Sequence, residues 1–278
     1  MSATPYLSII VPAYNEVKSI GRTLDAIQSY LDRQSYTYEI IVSADGNDGT
    51  RELVGERARR DPRMSVIGSA ERGGKGRGIR NGVELSSSML LLDGWLARSK
   101  DMPAGERQVT QLHVAGDFAD LHSFTLKRLD HDVATLSECV VAVVPHSRLK
   151  ELTEQFPRLA RLYWFSTNVD AAICRELALS LGQRSALSRM AHLFCELHAR
   201  LDVVGRADDG GFNFPLTQRE LAECLGLTVV HANRTIQELR RRRVVELENR
   251  RLTIIDRKGL EGIAEFDPSY LYIERLPY

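Results

Sequence analysis

Hydrophobic periodicity changes character part-way along this chain, and that change constrains the fold more than any single motif. Up to about residue 84, short apolar runs alternate with segments of helical spacing. LSIIVPAY, YEIIVSADG and MSVIG read as strands; SIGRTLDAIQSYLD and TRELVGERARR read as helices, and KGRGIRNGV can open a third. Strand-helix alternation of this kind favours a parallel sheet. Three strands make a thin core, and parallel strands need cover on both faces. Beyond Asn81–Ser88 the texture becomes that of antiparallel strands: SSSMLLLDGWLARSK, RQVTQLHVAGDF and ECVVAVVP, punctuated by turns at DG, PAGE and AGD. After these come a short helix over Leu149–Phe156, a long helix from Pro157 to about Gly182, and a helix in SALSRMAHLFCELHARL.

The segment LTQRELAECLGLTVVHANRTIQELRRRR, from Leu216, carries the clearest local plan. Thr217 followed by Glu220 is a capping-box pattern. Leu221, Ala222 and Leu225 form one apolar face, Gly226 allows a sharp turn, and Thr228 can cap a second helix running to about Arg241. Ala232, Ile236 and Leu239 should point inward, leaving His231, Asn233, Arg234, Gln237 and Arg241 outward or at the margins. This is a helix-turn-helix, and VVELENRRLTII adds a hairpin that makes it winged. Between Pro215 and Leu252 there are eight arginines and lysines against five acidic residues. That is a local positive excess suited to phosphates.

The whole chain, by contrast, has 278 residues with 37 basic and 37 acidic side chains, so bulk charge names no partner. No apolar run has the length of a membrane span, and the N-terminus lacks the pattern of a secretory signal. The cysteines, Cys139, Cys174, Cys195 and Cys224, show no metal-binding spacing, which fits free thiols in a reducing cytoplasm. No catalytic residue and no metal ligand is assigned from these patterns.

From Ser87 to about Leu271 the sequence resembles the Crp/Fnr family of transcription regulators. QVTQLHVAGDFADLHSF, LKRLDHDVATLSECVVAVVPHSRLKELTEQFPRLARLYW, SALSRMAHLFCEL and the helix-turn-helix segment carry the likeness in family order. The resemblance implies an effector-sensing β-roll over 85–156, truncated at its start; a dimerisation helix over 157–183; and a winged helix-turn-helix over 184–278. It implies duplex DNA, a second copy of the chain and RNA polymerase as partners. Leu162, Phe165, Val169, Ile173 and Leu177 would form the dimer seam. Arg234 matches the family's base-reading arginine, with Val229, Val230, His231 and Asn233 beside it. Gln237, Arg241 and Arg250 would hold phosphates, while Thr217 and Thr228 fix the helix starts. The cyclic-nucleotide branch uses an Arg-Ser pair that DFADLHSFTLKRLDHDVATL lacks. Asp132 stands where an anion would be received, so a cyclic nucleotide is not expected.

Residues 7–83 resemble the start of family 2 inverting glycosyltransferases, through LSIIVPAYNE, EIIVSADGNDGT and ERGGKGRGIRNGV. That likeness implies a partial Rossmann-like segment over 1–84. As an alternative function, it implies a nucleotide-sugar with a divalent metal, held by Pro12, Ala13, Tyr14, Glu16, Asp45 and Lys75. The later acidic motif and carboxylate base of such enzymes find no match; DHD at 130–132 lies in the regulator-like half. The fold class expected overall is mixed α/β and α+β, and the function expected is that of a sequence-specific DNA-binding regulator that does no covalent chemistry.

Overall fold

The computed structural model describes residues 7–68, 86–103, 105–126, 129–208 and 210–273. Its contacts divide the chain into two units, one of residues 1–97 and 115–161, the other of residues 98–114 and 162–278.

The first unit is built on a five-stranded sheet ordered β3-β2-β1-β8-β4 and also holds two short helices, α3 (Ser123–Leu126) and α4 (His146–Gln155); strand β5 (Leu96–Asp101) follows β4 in the chain. Strands β1 (Leu7–Tyr14), β2 (Tyr38–Asp45) and β3 (Met64–Ile67) run parallel, as the alternation predicts, with α1 (Ile20–Leu31) and α2 (Thr50–Ala58) as crossovers. Ile9, Val11 and Ala13 of β1 face a core with Leu24, Leu31, Val42 and Val54. Ile10 points to the opposite face, fully buried among Met89, Leu91, Leu96, Val133, Val141 and Val143. Both faces of β1 are therefore covered, which is why its sequence is a continuous apolar run rather than an alternating one.

The cover on that second face corrects the expected division at residue 84. Strands β4 (Ser87–Asp93) and β8 (Val140–Pro145) were expected in a separate roll. Instead β8 lies antiparallel to β1, with Ile9 opposite Ala142, and β4 pairs with β8. A parallel trio has an open edge at β1 and one bare face. Apolar strands from beyond residue 85 supply both the missing partner and the missing layer. Gly94 makes the turn after β4 at φ +92°, where an added Cβ would meet the Glu138 carbonyl at 2.1 Å. The expected junction at 81–88 lies in part outside the described residues, as do Lys75 and the third helix foreseen in KGRGIRNGV.

In the second unit, β6 (Arg107–His113), also assigned to the roll by sequence, packs with helices. The helices of this unit are α5 (Pro157–Gln183), which enters it at Leu162, α6 (Ala186–Val203), α7 (Gln218–Leu225), α8 (Val229–Arg241) and α9 (Arg257–Ala264). Arg98 binds Asp170 of α5 at 2.7 Å and Gln111 Oε1 at 2.9 Å, while Arg200 of α6 donates to the Leu112 carbonyl at 2.8 Å. A second sheet, ordered β11-β12-β10-β9, closes over Phe212 and Leu252. Its strands are Ala207–Asp208, Gly211–Asn213, Val245–Glu248 and Arg251–Ile254.

The long helix begins at Pro157 as expected but runs through Gly182 to Gln183. Its proposed seam is split. Leu162 and Phe165 are exposed together with Trp164, whereas Ile173 is buried against Ala199 and Leu271 within its own unit, with Val169 packed on the same cluster. After Asp267 the chain forms a short 3-10 turn over Pro268–Leu271. Cys139, Cys195 and Cys224 are buried and Cys174 is exposed, all as free thiols. Among the described residues no helix is long and apolar enough to cross a membrane.

Candidate nucleic-acid interface

The two short helices start as their sequences dictate. Thr217 sits in extended backbone and accepts from the Glu220 amide at 3.2 Å, while Glu220 Oε2 accepts from the Thr217 amide at 2.7 Å, completing the capping box. Thr228 does the same for α8, accepting from the His231 amide at 3.2 Å. The C-terminal carbonyls of α7 also need partners. Gln108 of β6 donates to the Glu223 carbonyl at 2.8 Å and Arg189 of α6 to the Leu225 carbonyl at 2.5 Å. Gly226 then turns the chain at φ +60°. Neither Gln108 nor Arg189 stood out in the sequence, because a side chain that caps a distant helix leaves no local pattern.

Helix α8 buries Ala232, Ile236 and Leu239, the three positions chosen by spacing, together with Thr235, whose hydroxyl donates to the His231 carbonyl at 2.9 Å. The opposite face is open. Val230 is 61% exposed and Val229 39%, and His231, Arg234 and Gln237 are exposed beside them. Asn233 is half-buried and donates to Gln218 Oε1 at 2.9 Å, bracing α8 against the first turn of α7. Among the described residues Arg234 makes no ion pair.

The arginines that follow are not equivalent. Arg241 and Arg242 both donate to Glu238, Arg242 at 2.8 Å, and the Arg242 hydrogen bond is the main force holding the Glu238 carboxyl below its usual range. Arg240 reaches Glu248 of β11 at 3.4 Å. The i,i+3 and i,i+4 spacing of Glu238 to these arginines was visible in the sequence as a helical pairing pattern, though the residue was not singled out. Strands β11 and β12 meet at a two-residue turn, Asn249 and Arg250, both left-handed at φ 49° and 59°. Such a turn matches the twist of the strands. It leaves the Arg250 side chain exposed while the Arg250 carbonyl accepts from the Phe214 amide at 2.7 Å. Arg251 is held by Asp208 at 2.6 Å. An open groove between α8 and the hairpin is lined by Gln237, Arg240, Arg241, Arg243, Val245, Glu246 and Ile255, three arginines against one carboxylate.

A helix-turn-helix with one solvent-facing reading surface, arginines at its end and a hairpin alongside falls within residues 188–263, which match a Crp-like helix-turn-helix domain. A probable transcriptional activator from Rhizobium leguminosarum bv. viciae is 30% identical over 177 residues, covering 64% of this chain and 72% of that protein. The chain belongs to the Crp/Fnr family of transcription regulators. The fold agrees: the structure of FixK2 from Bradyrhizobium japonicum covers 65% of this Crp/Fnr regulator and 88% of its own chain, with a TM-score of 0.56 at 20% identity.

The same Crp/Fnr chain carries a second likeness. Residues 8–92 match glycosyl transferase family 2. A dolichyl-phosphate beta-glucosyltransferase, ALG5C, from Trichomonas vaginalis is 37% identical over 93 residues, 31% of this chain and 28% of that enzyme. The match runs past Val83 into β4, the strand that the fold joins to the same sheet. At the carboxyl ends of β1 and β2, Tyr14 stands opposite Asp45 in register. Pro12 lies within β1; Ala13 is buried and Tyr14 exposed. The Glu16 amide donates to Thr50 Oγ1 at 2.8 Å, and its carboxylate accepts from the Ser19 hydroxyl. Glu138, which the sequence did not mark, belongs to this end too: burial, and then the Glu16 charge, raise its carboxyl above the ordinary range.

Proposed function

We propose that this Crp/Fnr regulator binds duplex DNA as a homodimer, with α8 laid in the major groove and the β11–β12 hairpin against the adjoining backbone. The observation that carries this reading is the division of α8. Ala232, Thr235, Ile236 and Leu239 hold the helix to its unit, while Val229, Val230, His231, Arg234 and Gln237 face solvent. Arg234, with no acidic partner among the described residues, serves to pair with guanine O6 and N7. Val229 and Val230 offer apolar contact for a thymine methyl, and His231 lies beside them. Gln237, Arg241 and Arg250 serve the phosphates, and Asn233 supports through Gln218. The exposed apolar end of α5, Leu162, Trp164 and Phe165, is the surface for a second copy; the symmetry of such a pair suits half-sites one helical turn apart. RNA polymerase remains an expected partner, and the compartment is the one that holds the DNA.

In this reading the chain performs no covalent chemistry and needs no cyclic nucleotide. Selection of bound sequences from random duplex DNA tests it, with sedimentation of the pure protein for the dimer. A recovered two-fold motif supports the assignment, and recovery of unenriched sequence refutes it.

A second reading rests on the match at 8–92. Tyr14, Glu16 and Asp45, gathered at one end of the sheet, would receive a nucleotide-sugar and its divalent metal, with Ala13 and Pro12 in the strand beneath and Lys75 outside the described residues. Calorimetric titration with nucleoside diphosphates, with and without magnesium, decides it.

A further inference from the structure

His122 and His131 stand nine positions apart, yet their Nε2 atoms approach to 2.9 Å and their ring centroids to 5.0 Å. Asp130 joins them: one ligand-capable atom from each of the three residues lies within 4.8 Å of the others. All three belong to the first unit. The sequence assigned no metal here, because this spacing is not one of the familiar ligand patterns and the acidic letters at 130–132 read as a loop. Folding brings the two sides together.

The backbone on either side is fixed independently of the three side chains. Before His122, Ala119 and Leu121 are buried, and the buried Asp120 carboxylate accepts from the Met89 amide at 2.6 Å. Directly after it, Ser123 is fully buried with its hydroxyl 3.1 Å from His146 Nε2. On the other side, β7 (Asp132–Thr135) begins one residue beyond His131. Val133, Thr135 and Leu136 are buried there, and the Leu136 amide donates to the Trp95 carbonyl at 2.9 Å. Ligands carried on packed segments are held near their working geometry before any ion arrives.

Two imidazole nitrogens that face each other can share a proton or share a cation. Bonds of about 2.0–2.1 Å from a tetrahedral zinc ion set neighbouring nitrogens roughly 3.3 Å apart. An opening of a few tenths of an ångström therefore converts the observed pair into a metal-binding pair. A carboxylate at the same point is superfluous for a proton shared between two rings, but it supplies the charge and the third donor that a divalent ion requires. Two nitrogens among three donors disfavour magnesium and calcium, which take oxygen, and suit zinc, nickel or copper. We infer that His122, Asp130 and His131 form a binding site for a divalent transition-metal ion of the zinc class. Three protein ligands leave a fourth position for water or a small ligand. An ion held there would tie the turn at His122 to the start of β7.

The test uses the full chain, stripped with chelator and titrated with zinc chloride and, separately, cobalt chloride. A single ion per chain is expected. Cobalt should show the visible bands of a tetrahedral site without thiolate charge-transfer absorption. His131→Gln and His122→Gln should each weaken zinc binding by roughly tenfold or more, and Asp130→Asn should weaken it as well. Zinc should raise the unfolding temperature of the parent protein and not that of the histidine variants. Imidazole nitrogen shifts in the unaltered protein give the same answer without substitution: two side chains should respond to zinc at their Nε2. Unchanged affinity in all three variants, thiolate bands with cobalt, or no zinc response at these two imidazoles would overturn the site.

Discussion

Asn233 donates from Nδ2 to the Gln218 side-chain oxygen at 2.9 Å, and this single bond ties the exposed face of one helix to the first turn of the other. It spends the amide of Asn233 inside the protein. Arg234, the next residue along, is left with its guanidinium in solvent and no acidic partner among the described residues. The division of labour between neighbours is thus set by geometry: one braces, the other is available to read.

Arg234→Ala should therefore cost about 1–3 kcal/mol in specific DNA binding and relax discrimination at one base pair. Titrations against the selected duplex and against duplexes substituted at each position check this. Equal losses on specific and random DNA would remove Arg234 from base reading.

The arginines should separate by their partners. Arg250, at the tip of the hairpin turn and free of ion pairs among the described residues, should contribute a full phosphate contact. Arg250→Gln should reduce the salt slope of binding by about 0.9. Glu238, by contrast, already occupies Arg241 and Arg242. Glu238→Gln should release both and tighten non-specific binding at low salt. Binding measured over a series of salt concentrations reads both effects, and a weaker Glu238→Gln complex would contradict the second.

Acid should destabilise the second unit through His192. Burial, reinforced by the Arg184 guanidinium, pulls its pKa from an ordinary 6.5 down to about 4, and Glu176 opposes this only in part. Glu176 lies 3.3 Å from the ring but also binds Arg184 at 2.7 Å, so its charge is largely committed. Between about pH 6.5 and about 4 the unfolded chain takes up a proton that the folded chain refuses. Stability is then complete above this window and is lost as pH falls through it. Thermal unfolding followed across that range should show a steeper decline for the parent than for His192→Gln; parallel curves would rule out this histidine as the cause.

The joint between β1 and β8 should behave as core, not as an accidental contact. Ile10 and Val141 are both fully buried in the same cluster. Ile10→Ala should cost about 2–5 kcal/mol of unfolding free energy. Denaturant unfolding should show β4 and β8 losing protection from hydrogen exchange together with β1. Protection of Val141 and Val143 that survives the loss of β1 would show two independent folding pieces instead.

Much of the second unit was legible from residues alone. The cap at Thr217, the turn at Gly226, the cap at Thr228 and the inward trio of α8 are local signals. Each depends on neighbours three or four positions away and on backbone preferences that no distant contact can easily override. The hairpin turn at Asn249–Arg250 was readable for the same reason. The long helix was legible in extent but not in the use of its stripe. Ile173 has the spacing of a seam residue, yet it meets Ala199 and Leu271, and spacing cannot say which apolar surface will arrive first.

By itself, then, the sequence determined the local elements, their order and the arginine-rich reading module, because these rest on short-range hydrogen bonding and periodicity. The tertiary structure alone decided which strands share a sheet. An apolar strand such as β8 carries no mark of its partner, and its pairing with β1 follows from an open edge and an uncovered face that exist only once the parallel strands have assembled. It alone also set His122 against His131, since a contact between residues nine apart across a turn is a consequence of the core on either side rather than of the letters between them.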